Sequence, residues 1–107
     1  MEYIFKADRE RMRIVERCIA EVMGCDKDTY LDERNTDRRT RIARYSWVYW
    51  VYHTTMLDHH SLAEMINRNQ SNVSRAIQNV ENWMMKPSRR EHQYVKEIKN
   101  KIKNEIK

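Results

Sequence analysis

The chain has 107 residues, 35% of them charged, with 21 Lys and Arg against 16 Asp and Glu for a net charge of +5, and only one Gly and one Pro. That length holds one domain and excludes a separate nucleotide-binding domain beside a recognition module. So few breakers among so much Glu, Lys, Arg, Met and Ile predict an all-α, compact helical bundle and exclude a sheet. No run is apolar enough to span a membrane, and two cysteines without a CxxC pair or a His at ligand spacing predict a reduced, cytoplasmic protein with no metal or cofactor.

Along the chain, residues 8 to 23 read as a first long helix with Met12, Val15, Ile19 and Val22 on one face, closed by Gly24 as a C-cap. Asp26 caps a short stub whose Tyr30 and Leu31 dock back on the core. Asn35, Thr36 and Asp37 are cap candidates for the next helix, which opens with Arg38, Arg39, Arg41 and Arg44. Two readings fit this cluster: a basic helix start gripping DNA phosphates or a minor groove, or a solvated face neutralised by Asp32, Glu33 and Asp37. From Ile42 the pattern turns apolar nearly all round, through Tyr45, Trp47, Val48, Tyr49, Trp50, Val51 and Tyr52, which predicts a central core helix and not a base-stacking box. His53, His59 and His60 read as surface or phosphate-contacting residues, not as ligands.

Ser61 to Met84 carries the most specific pattern, a helix-turn-helix. Its first helix starts at Ser61 or Asp58 and faces inward with Leu62, Ala63 and Ile66. Asn67 stands where the turn demands a left-handed residue. The second helix turns Val73, Ala76, Ile77, Val80 and Met84 inward and gathers Asn69, Gln70, Ser71, Asn72, Ser74 and Arg75 at its start. Amides, hydroxyls and a guanidinium there suit base edges in a major groove, with Ser61 counted among the contacts. Pro87 then breaks the chain, and Ser88 is the cap expected for a last helix with Tyr94, Ile98, Ile102 and Ile106 on a narrow stripe among lysines. The division is therefore 1–87, a DNA-binding domain, and 88–107, a basic amphipathic helix or tail. That tail packs on the domain, pairs with a second copy as a homodimer, or frays.

From Val15 to Met84 the chain resembles the C-terminal DNA-binding domain of the bacterial replication initiator DnaA, in the Trp-repressor-like helix-turn-helix group. The likeness lies in IAEVMGCDKDTYL, in RRTRIARYSWVYWVYHTTM, in SLAEM where the family has Ser-Leu-x-Glu-Ile, and in RNQSNVSRAI at the place of its Arg-Asp-His-Thr-Thr-Val signature. It implies Arg38, Arg39 and Arg41 as minor-groove and backbone grip and Arg68, Asn69, Gln70, Ser71 and Asn72 as major-groove readers. A shorter turn and the replaced Asp-His-Thr-Thr imply a different DNA sequence, and no ATPase domain accompanies it. The expectation is a nucleoid-associated regulator of transcription or replication whose partner is double-stranded DNA. It is not an enzyme and takes no small-molecule substrate, since no nucleophile with base, phosphate loop or carboxylate pair appears. The rival is a protein-interaction module using the same face, and RNA binding is disfavoured for want of an aromatic sheet or GXXG loop.

Overall fold

A computed structural model describes residues 5–106. Its six α-helices are α1 (Lys6–Met23), α2 (Lys27–Tyr30), α3 (Arg38–Thr54), α4 (His59–Met65), α5 (Gln70–Met85) and α6 (Arg90–Glu105), with no strand among the described residues. The ends are set locally. Gly24 adopts φ 70° and sends its N–H to the Ala20 carbonyl, while the side chains of Asp26, Asp37, Asp58 and Asn69 each accept the backbone N–H three residues on. Each such cap satisfies one of the orphan donors of a helix N-terminus.

α3 is the axis, with α1 and α5 as its main neighbours and α2, α4 and α6 also against it. Trp47, Val48 and Val51 are at most 1% exposed, so the apolar girdle of α3 is core. Tyr45 stacks on Trp83 with ring centroids 5.9 Å apart, joining α3 to the last turns of α5.

α6 packs in the same core. Val95, Ile98 and Ile102 are buried against the cluster that includes Val15, Cys18 and Ile19 of α1. Burial of three aliphatic side chains, at about 1.5–3 kcal/mol each, holds a 16-residue helix that would be marginal alone. The radius of gyration, 12.8 Å, matches the roughly 13 Å expected of a compact domain of this size, so the described residues include no extended tail. The stripe that the sequence offered to a second copy is covered within the chain.

Several boundaries differ from the sequence reading. α1 begins two residues earlier, at Lys6. Arg89, not Ser88, is the N-cap of α6, and it makes no side-chain capping bond. Trp83 is buried in α5 where Met84 was expected, and Met84, at the flank of the stripe, is only half-buried.

Candidate functional site

The corner between α4 and α5 is built by two asparagines. Asn67 takes φ 56°, the left-handed conformation its place in the pattern demanded. It lets the Arg68 N–H reach back to the Ala63 carbonyl at 2.9 Å and close α4. Asn69 then turns its Oδ1 onto the Asn72 N–H at 3.1 Å and starts α5. Asn69 therefore sets the shape of the corner, and its Nδ2 donors and the second lone pair of its Oδ1 are what it can still offer a ligand.

Residues facing out of the first half of α5 are Gln70, Ser71, Ser74, Arg75 and Gln78, all exposed, and Glu81, Asn82 and Met85 are exposed beyond them. Ser71, Ser74, Arg75 and Gln78 fall at i, i+3, i+4 and i+7, one stripe over two turns. Gln78 escaped the sequence reading, although its i+7 relation to Ser71 was legible there. Asn72 is half-buried and looks across at α3. No acidic residue stands in the first turn of α5, so its partial positive charge is not neutralised locally.

Between α3 and α5 lies a concavity of about 190 Å³, lined by Arg44, Tyr45, Val48, Ile66, Arg68, Asn72, Arg75 and Ala76. Three guanidiniums and an amide surround an apolar floor, and no carboxylate is among the lining residues. Arg44 is rigid here: Nε donates to the Tyr30 carbonyl at 2.9 Å, and Nη2 to the carbonyls of Asp32 at 3.0 Å and Asn35 at 2.6 Å. Burial, with the neighbouring Arg68 guanidinium next in weight, holds Arg44 below the usual arginine value. Arg68 has one acidic neighbour, Glu33, with Nε 3.5 Å from a carboxylate oxygen.

The arginines of α3 thus divide into two kinds. Arg38 and Arg41 are exposed on the first two turns, as is Arg39, which differs from them in its bonds. Arg39 bends back to donate from Nε to the Met23 carbonyl, and its guanidinium lies 5.6 Å from the centre of the Tyr94 ring. Arg39 and Arg44, expected as DNA contacts, hold the ends of α1 and α2 against α3. Their carbonyl partners belong to helix ends and a loop that only folding brings within reach.

Ser61 is also displaced from the expected role. Asp58 takes the cap of α4, placing Ser61 at the third helical position, where it is buried. His59 Nδ1 lies 3.3 Å from Ser74 Oγ and ties the two helices, while His60 Nε2 lies 3.0 Å from Glu64. Tyr52 stacks edge-on to both His53 and His59, so these imidazoles belong to an aromatic cluster at the corner between α3 and α4.

What this surface offers is donors. Guanidiniums bind oxyanions bidentately, and Gln and Ser read donor and acceptor patterns. Comparison with protein-family models, with curated proteins and with solved structures gave no match.

Proposed function

We propose that this protein is a sequence-specific binder of double-stranded DNA, with α4 and α5 as a helix-turn-helix, the exposed stripe of α5 in the major groove and Arg38 and Arg41 of α3 on the backbone. One observation carries the reading: the polar outward face of α5, Gln70, Ser71, Ser74, Arg75 and Gln78, adjoins an arginine-lined groove with no carboxylate in its lining. Side chains able to discriminate bases and cations able to hold phosphates therefore stand beside each other, as direct readout requires. The likeness to the DnaA C-terminal domain belongs to this proposal, as do a regulatory role in transcription or replication and a place on the nucleoid.

Selection of bound duplexes from a random pool tests it. The wild type is expected to enrich a motif, and Gln70→Ala or Gln78→Ala to relax it at one or two base pairs, since a good base contact discriminates by about 1–3 kcal/mol. With about five phosphates engaged, log K should fall against log salt with a slope near −4 to −5. No retention of duplex at low ionic strength overturns the reading. A partner protein captured through these same side chains, with no motif selected, makes the face a protein-interaction module.

A further inference from the structure

The charge of α6 is not spread evenly over its surface. Toward the C-terminal end its charged residues pair with those of α1: Lys101 Nζ lies 3.0 Å from Glu21, and Glu105 lies 2.8 Å from Arg17. At its N-terminal end the balance tips to cations. Arg89 and Arg90 are exposed and share a shallow concavity of about 350 Å³ with Arg38 of α3, Ser88 and Glu91. Three arginines there face one carboxylate, Glu91, which has Arg89 Nε at 3.4 Å.

α3 connects this cluster to the groove beside α5. Arg38 lines the α6 concavity, Arg44 lines the α5 groove, and the exposed Arg41 lies midway between them in sequence. Residues three apart on a helix are neighbours offset by about 60° around the axis, so from Arg38 to Arg44 the positions wind about 120° round α3 while advancing about 9 Å. The cations therefore run as a band from Arg89 and Arg90, over Arg38 and Arg41, to Arg44, Arg68 and Arg75.

We infer that the first turn of α6 is part of the DNA surface, with Arg38, Arg89 and Arg90 seating backbone phosphates on the strand that also passes the Arg44–Arg68–Arg75 groove. This rests on the DNA reading above. It assigns a phosphate contact to one end of the helix that the sequence division had set apart from the DNA-binding domain. A phosphodiester suits the cluster because an open, arginine-rich hollow can admit a chain that enters and leaves, and guanidiniums grip its oxygens in pairs.

The test removes the same charge from two ends of the same helix packing. R89Q/R90Q deletes two cations from the proposed seat, and R17Q/K101Q deletes two from the α1–α6 side. Binding of the full chain to its selected duplex and to random duplex is measured against salt, with thermal melting to verify the fold. R89Q/R90Q should make the slope of log K against log salt shallower by about 0.9 for each phosphate no longer neutralised. The selected motif should not change, since phosphate contacts carry no base information, and R89K/R90K should recover most of the slope. R17Q/K101Q should leave the slope at the wild-type value. An equal fall in slope in the two pairs, or an unchanged slope in R89Q/R90Q, overturns the inference while leaving the DNA reading standing. Absence of duplex binding by the wild type removes the DNA reading itself and this seat with it.

Discussion

The carboxylate of Asp8, in the first turn of α1, accepts the backbone N–H of Met56 at 3.2 Å across 48 positions of sequence. Asp8 is only 3% exposed, and nearby Arg11 donates to the Thr54 carbonyl at 3.4 Å. α1 thus holds the corner from which α4 departs, and so the orientation of the helix pair. Asp8→Ala should destabilise the fold by about 1.5–3 kcal/mol, the range for a hydrogen bond to a charged group. The loss should appear as a lower midpoint in urea and as faster amide exchange at Met56 and Leu57. Asp8→Asn, which keeps an acceptor oxygen, should lose less.

Asn67 tests the turn. At φ 56° a Cβ meets the following carbonyl oxygen, a conflict of roughly 1–2 kcal/mol for most residues, and Asn relieves it better than they do. Asn67→Ala should therefore lose about 1 kcal/mol of stability, whereas Asn67→Gly should match or exceed the wild type. A melting series of the three proteins decides it. Equal destabilisation in both variants would mean that the Asn side chain, not the conformation, holds the turn.

Much of the fold was legible because its signals are local. Asp26 and Asp37 cap the helices that follow them, and Gly24 and Asn67 take the left-handed conformations their positions in the pattern announce, whereas Asn69, read as a base contact, proves to be the cap of α5. The errors have tertiary causes. Ser88 is a better cap type than Arg89, yet the chain enters α6 one residue later. Trp83 is buried in place of Met84 because Tyr45 of another helix offers it a ring to stack on. The candidate site was legible as a set of residue types but not as roles. Nothing in RRTRIAR says that Arg39 and Arg44, and not Arg38 and Arg41, end on backbone carbonyls, since those carbonyls lie 16 and 9 to 14 residues upstream.

Acid should loosen the helix starts. Asp26 and Asp58 are lowered first by the backbone N–H groups of Thr29 and Ser61, and Asp37 first by the Thr40 side chain. Asp32, lowered to about 2, owes this first to the Arg34 side chain. Each folded-state value lies below the unfolded one, so the stabilisation is complete above the unfolded carboxylate range near pH 3.9. It fades as the pH falls through the folded values, down to about 2 for Asp32. Melting temperature should thus drop steeply between about pH 5 and pH 2. In the triple variant D26N/D37N/D58N, Asn caps comparably without titrating, and the drop should be shallower.

Ser46 is fully buried in α3, and its Oγ has no hydrogen-bond partner among the described residues. A buried hydroxyl left unpaired loses about 1–3 kcal/mol of hydration, and Ala is the better helix former. Ser46→Ala should raise the melting temperature without altering duplex affinity. A lower melting temperature would mean that the hydroxyl has a partner in solution.

Arg41 and Arg44 stand three residues apart on α3 and should respond to substitution in opposite ways. Arg41 is exposed, so Arg41→Gln should leave folding unchanged within about 0.5 kcal/mol, the usual range for a surface position. If it holds a phosphate, the salt slope should become shallower by about 0.9. Arg44 satisfies the carbonyls of Tyr30, Asp32 and Asn35 from a half-buried position. Arg44→Gln shortens the side chain and leaves acceptors in the segment from Tyr30 to Asn35 unpaired, at about 1–3 kcal/mol for each one kept from water. Its signature should be a lower unfolding midpoint and faster proteolysis of that segment. Arg44→Lys should not rescue it, because an ammonium lacks the planar fork that spans these acceptors. Loss of duplex affinity in Arg44→Gln should then track the unfolded fraction and vanish at temperatures where the variant is fully folded. A weaker affinity that persists in the folded variant would give Arg44 a direct bond to DNA in addition to its place in the scaffold.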